Sequence, residues 1–204
     1  MTFEETANDK RGYPFVQAKN YTLVSQDKPR KLDLLVIHTM EALEKPATAT
    51  NVALWFASST APKASAHFCI DDNHVIQCVR VQDVAWHAPG ANNNGIGLEH
   101  AGYASQTSAD WQDVYSQNVL LNSANLAGEL CLAFSIPAEF VDAAGLRAGK
   151  RGITTHAEVT KAFPGPGRTH WDPGPNFPME EYLELVLAGM GLSIDLSDTG
   201  ENIA

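Results

Sequence analysis

His38 closes the apolar run DLLVIH, His156 closes GITTH, Asp172 opens the turn DPGP, and Glu99 ends the short apolar segment GIGLE. Two imidazoles and a carboxylate at the ends of separate elements, with a further acid, are the ingredients of a catalytic zinc site and its general base. Zinc in a hydrolytic site takes three protein ligands and keeps a position for water, whose pKa it lowers to about 7. Spacing alone does not establish the set, because these residues lie far apart in the chain and can meet only through the fold. Each has a plainer alternative: a strand-end histidine with its hydrogen bonds satisfied, an exposed strand-terminal carboxylate for Glu99, and for Asp172 a tight turn in which Pro173 fixes one dihedral and Gly174 permits a positive one.

Five segments, taken in order, narrow the choice: LDLLVIHT from Leu32, SAHFCIDDNHVIQCV from Ser65, AWHAPGANNNGIGLEH from Ala85, GITTHAEV from Gly152 and THWDPGP from Thr169. They resemble the zinc-dependent N-acetylmuramoyl-L-alanine amidases of the amidase-2 type, a superfamily that includes the peptidoglycan recognition proteins and several phage lysins. Together they span most of residues 20–190, and EHAGYASQT from Glu99 is similar to lysins of phages that infect actinobacteria. The resemblance implies an α/β fold with a mixed central β-sheet flanked by α-helices. It implies hydrolysis of the amide between the lactyl group of N-acetylmuramic acid and L-alanine in peptidoglycan, with Zn2+ held by His38, His156 and Asp172. Glu99 takes the catalytic glutamate's place, accepting a proton from the attacking water and returning one to the leaving amine.

One position departs from the pattern. His170 stands where many relatives carry a lysine that stabilises the oxyanion, and an imidazolium can donate that hydrogen bond only below its own pKa, which would set an alkaline limit on activity. Trp86 and His87 correspond to positions near the substrate groove, with core packing as the alternative for Trp86. His67 is read as a support for the sheet or for the ligands, His100 as pointing away from Glu99 by strand alternation, and His74 as solvated in a turn.

Two rivals come from other classes. A non-catalytic peptidoglycan-binding module of the same fold would have lost a ligand, whereas all three candidates and Glu99 are present. A cysteine peptidase using Cys131 would want its thiol at a helix N-terminus, whereas Cys131 falls inside an expected helix. The substrate can be intact wall or released muropeptides, the latter suiting a cytoplasmic recycling amidase.

The elements that must position these groups follow from periodicity. Asp33 to His38 reads as a strand buried on both faces, Thr50 to Ser59 as a short helix, Ser65 to Arg80 as a hairpin around Asp72 to His74, and Gly95 to Glu99 as a further strand. Asp110 to Phe134 carries apolar residues at helical intervals, with Ser108 or Asp110 as its cap, and should cover one face of the sheet. Ala138 to Val141 and Ile153 to Thr155 flank AAGLRAGKRG, a connection longer than compact relatives need. Pro178 starts a last helix with Tyr182, Leu183, Val186 and Leu187 on its inner side.

At 204 residues the chain suits one domain, 20–190, with an N-terminal extension 1–19 and a polar, acidic stretch 191–204 read as a disordered tail or linker. A net charge of −10 with 14 Lys and Arg argues against nucleic acid as a partner. The first residues show no apolar signal core and no stretch is long enough to insert in a membrane, so the expectation is a protein made in the cytoplasm without a signal peptide, monomeric, and reaching the cell wall as a phage endolysin does. Three cysteines, Cys69, Cys78 and Cys131, leave at least one unpaired and have no CxxC spacing. Cys69 and Cys78 oppose each other if Asn73 and His74 form the hairpin turn and separate if the loop shifts by one residue; buried free thiols are the expectation.

Overall fold

The computed structural model describes residues 12–166 and 168–192. Most of the extension and of the tail read from the sequence therefore lies outside the described residues.

A five-stranded mixed sheet organises the chain. In chain order its strands are β2 (Leu34–Thr39), β3 (Phe68–Ile70), β4 (Val75–Gln77), β6 (Gly95–His100) and β7 (Gly152–Thr155); β1 (Tyr21–Thr22) and β5 (Val84–Ala85) form a separate antiparallel pair. The spatial order is β4-β3-β6-β2-β7, parallel throughout except for the β3–β4 hairpin. The central strand β2 is buried at every residue, as its unbroken apolar run requires.

Alternation along the strands sorts side chains into two layers. Leu35 and Ile37 of β2, Ile96 and Leu98 of β6 and Phe68 and Ile70 of β3 pack with α2 (Val114–Phe134) and α5 (Met179–Gly189) in the main core. Leu34 and Val36 face the other way, onto α3 (Ala143–Arg147) and α4 (His156–Ala162), while Cys69 packs under α1 (Thr48–Ala57). His38 and Glu99 share this second face at the strand ends; His100 points into the main core, its ring 5.7 Å from Phe177 and 5.9 Å from Tyr182.

Several local expectations shift. The long helix starts at Val114, capped by Asp113, which accepts from the Ser116 N–H at 2.8 Å. Asp110 cannot cap it because its carboxylate holds the Thr107 turn and residues 110–112 form a 3-10 turn. Helix α1 begins at Thr48, where the capping group is remote: Asp71 Oδ2 accepts from the Ala49 N–H. The hairpin closes with Asp71 opposite His74, so Cys69 faces Ile76 and not Cys78; the two Sγ atoms are nevertheless 3.7 Å apart as free thiols. AAGLRAGKRG supplies α3, capped by Asp142, with Leu146 buried against α4. In α5, Tyr182 and Val186 are buried and Leu183 and Leu185 pack beside them.

Residues ahead of the sheet are also tied down, since the Val16 and Ala18 N–H groups donate to the Gln77 and Cys78 carbonyls at 2.9 and 2.8 Å.

Candidate metal and catalytic site

Register brings the chemistry together. His38 on β2 is directly paired with Glu99 on β6, and on β2's other side Ile37 pairs with Thr155 of β7. The next residue, His156, is therefore delivered beside His38, and it opens α4 because Thr155 caps that helix, accepting from the Glu158 N–H at 3.1 Å. Asp172 arrives on the 169–174 loop, fastened where its carbonyl accepts from the Ala157 N–H at 2.9 Å. Gly174 takes φ +90°, the positive dihedral anticipated for the DPG turn, and a Cβ there would collide with the Ala104 carbonyl.

The Asp172 carboxylate spans both imidazoles, Oδ2 standing 3.0 Å from His38 Nδ1 and Oδ1 3.2 Å from His156 Nδ1. All three residues are buried, and their ligand atoms lie within 4.8 Å of one another. Donor chemistry and spacing fit zinc: ligands of a tetrahedral ion with bonds of about 2.0–2.2 Å stand roughly 3.3–3.5 Å apart. Protonation fits as well. Burial holds the His38 imidazole down at about 4 against the pull of Asp172. Burial would raise Asp172, but hydrogen bonds from His156 and His38 overturn that and hold it far below the usual carboxylate range. At neutral pH His38 is thus neutral and Asp172 ionised, as metal ligation requires.

Glu99 is half-buried at the floor of a cavity of about 350 Å3 that is also lined by His38, His156, His170 and Asp172. Burial first, then the negative charge of Asp172, pushes its proton affinity well above that of an ordinary glutamate. A carboxylate with its proton affinity raised in this way is a better proton acceptor than an ordinary glutamate, as a general base requires. His170 lies at the rim, 57 % exposed, stacked on His156 with ring centroids 4.2 Å apart and its Nδ1 3.7 Å from Asp172 Oδ1.

Trp86 lines the cavity and donates from Nε1 to Thr22 Oγ1 at 2.9 Å. His87 also borders it but is only 7 % exposed, with Nδ1 3.0 Å from His38 Nε2. His67 supports the sheet, its Nδ1 accepting from the Gly97 N–H. Among the wall residues that sequence reasoning missed are Glu41, Phe56 and Trp171. Trp171, 53 % exposed between His170 and Asp172, could have been found as an aromatic inside THWDPGP. Cys131 is buried in α2 against the main core, its thiol pushed up to about 12 by burial, and does not border the cavity.

Residues 28–175 match the family model described as N-acetylmuramoyl-L-alanine amidase. The chain belongs to this amidase family. Among curated relatives, N-acetylmuramoyl-L-alanine amidase A of Achromobacter lyticus is 29 % identical over 182 residues, covering 85 % of this chain and 92 % of its own. Among solved structures, the Staphylococcus aureus hydrolase AmiA, in complex with its ligand, superposes with a TM-score of 0.60 at 15 % identity over 94 % of this chain and 93 % of AmiA. An AmpD derivative superposes at 0.56 with 22 % identity, over 85 % of this chain and 94 % of its own. At these identities the structural likenesses establish the mixed α/β fold of the family.

Proposed function

We propose that this protein is a zinc-dependent N-acetylmuramoyl-L-alanine amidase that cuts the amide between the lactyl group of N-acetylmuramic acid and L-alanine in peptidoglycan. The observation that carries the reading is the buried His38–His156–Asp172 cluster opening onto the cavity in which Glu99 stands beside His38. His38, His156 and Asp172 would hold the zinc, which when bound polarises the scissile carbonyl and lowers the pKa of a water. Glu99 removes a proton from the attacking water and passes it to the leaving nitrogen as the C–N bond breaks; the second proton of that water then leaves the new carboxylic acid for the amine, so the products are a carboxylate and an ammonium and Glu99 ends unprotonated. His170, at the open rim, donates to the carbonyl oxygen as negative charge builds there. Trp86 and Trp171 form cavity walls against which sugar or peptide packs.

The catalytic unit is residues 20–190, acting as a monomer, and the substrate is intact wall reached as an endolysin reaches it. Purified protein incubated with sacculi should release stem peptides with a free L-alanine N-terminus, identified by mass spectrometry. Cleavage at a sugar–sugar or peptide–peptide bond would refute the amidase reading. Faster turnover of soluble muropeptides than of sacculi would replace the lysin reading with a recycling one.

A further inference from the structure

The chain spends a good deal of structure on placing His87. Asn92 Oδ1 accepts from the His87 and Ala88 N–H groups at 3.0 and 2.6 Å, fixing the turn that presents the ring. Beneath it, β6 carries glycine at both 95 and 97. A Cβ on Gly97 would stand 2.7 Å from His87 Cγ, so this glycine leaves the space that the imidazole fills, whereas a Cβ on Gly95 would meet the Ala91 carbonyl first, also at 2.7 Å. The ring lies edge-on to His38, with centroids 5.2 Å apart at 84°, and its Nδ1 meets His38 Nε2 on the opposite side of that ring from Asp172. Its other nitrogen, Nε2, is buried with no hydrogen-bond partner among the described residues.

We infer that His87 is a positioning residue for the metal site, accepting a hydrogen bond from His38 Nε2–H and so holding His38 in the tautomer whose Nδ1 can ligate. The inference rests on the zinc reading above. A neutral imidazole carries one proton, so an Nδ1 that gives its lone pair to a metal leaves the proton on Nε2, which then needs an acceptor. Ligating histidines usually find a carboxylate, a carbonyl or water for this purpose. Here the atom at hydrogen-bonding distance is the Nδ1 of another imidazole, and His87 must then carry its own proton on Nε2.

Without metal the order reverses. His38 Nδ1–H donates to the ionised Asp172, and His38 Nε2 accepts from His87 Nδ1–H. Passing to the ligating arrangement moves the His87 Nδ1 proton to His38 Nε2, releases the His38 Nδ1 proton to solvent and takes one proton from solvent onto His87 Nε2. Both rings stay neutral and the two protons are conserved.

The test measures zinc affinity by competition with a chelator for the wild type, His87→Asn and His87→Leu, with the thermal midpoint of each zinc-free protein alongside. Asparagine keeps an acceptor near the position of Nδ1, whereas leucine fills the slot without one. His87→Leu should bind zinc about 10- to 100-fold more weakly, the usual cost of losing such a partner. His87→Asn should stay close to wild type, while the zinc-free midpoints of the two variants remain similar. Equal affinity in all three proteins, or equal weakening in both variants, would overturn the inference. A wild type that binds no zinc would overturn the underlying reading instead. Should the variants not fold, long-range proton–nitrogen spectra of the zinc-loaded wild type decide: His87 protonated at Nε2 is expected, and protonation at Nδ1 overturns the inference.

Discussion

Glu99 and His170 illustrate how different two side chains in one cavity can be. Glu99 is held on a strand end with its proton affinity raised by burial and by Asp172, whereas His170 stands at the open rim with one face on His156. Glu99→Gln should keep zinc and fold yet lose at least about a hundredfold in kcat/KM; near-normal turnover in that variant would return Glu99 to a bystander. For His170, alanine should cost about tenfold or more and lysine should largely preserve turnover, because each test concerns one donor to the developing oxyanion. An alanine variant within about threefold of wild type would mean that His170 only packs against His156. His38, His156, Asp172 and Glu99 were legible from their places at the ends of apolar runs together with the family's segments. Glu41 was not, since a positive φ of 50° and a hydrogen bond from the Ala104 N–H are what turn it toward the cavity, and neither leaves a local trace.

Elements were read well where the cause is local and poorly where it is not. The two-face burial of β2 and the start of α5 after Pro178 follow from nearby residues. The start of α1 does not, because its cap comes from Asp71 in the hairpin, and the hairpin register depends on how that same carboxylate gathers the Asn73 and His74 N–H groups. Asp113→Ala should lower stability by about 1 kcal/mol through the lost cap of α2 with turnover unchanged, as read from denaturant midpoints. Gly97→Ala tests the slot in β6. Its Cβ would press on the His87 ring, so a loss of about 1–3 kcal/mol in stability is expected together with weakened zinc binding. A variant as stable as the wild type, with unaltered zinc affinity, would show that the strand yields there at no cost.

The molecule as a whole carries a set of buried, neutral histidines, and this gives it a pH signature. Burial holds His100 at about 4 inside the main core. The unfolded chain therefore takes up this proton more readily than the folded one between about pH 6.5 and 4, so the contribution is full above that window and is lost as pH falls through it, roughly 3 kcal/mol in all. Glu99, with its affinity raised, runs the opposite way, and comparison with His100→Gln separates the two. The thermal midpoint of metal-free wild type should fall more steeply on acidification than that of His100→Gln; parallel curves would contradict this. No helix among the described residues is long and apolar enough to cross a membrane. The decisive measurement is release of L-alanine N-termini from sacculi by chelator-stripped protein titrated with zinc. Release should be absent without metal, rise in proportion to zinc added and level off at about one equivalent per chain, the capacity of a single three-ligand site. Undiminished release by the stripped protein, or a rise with no break near one equivalent, would contradict a catalytic zinc held by His38, His156 and Asp172.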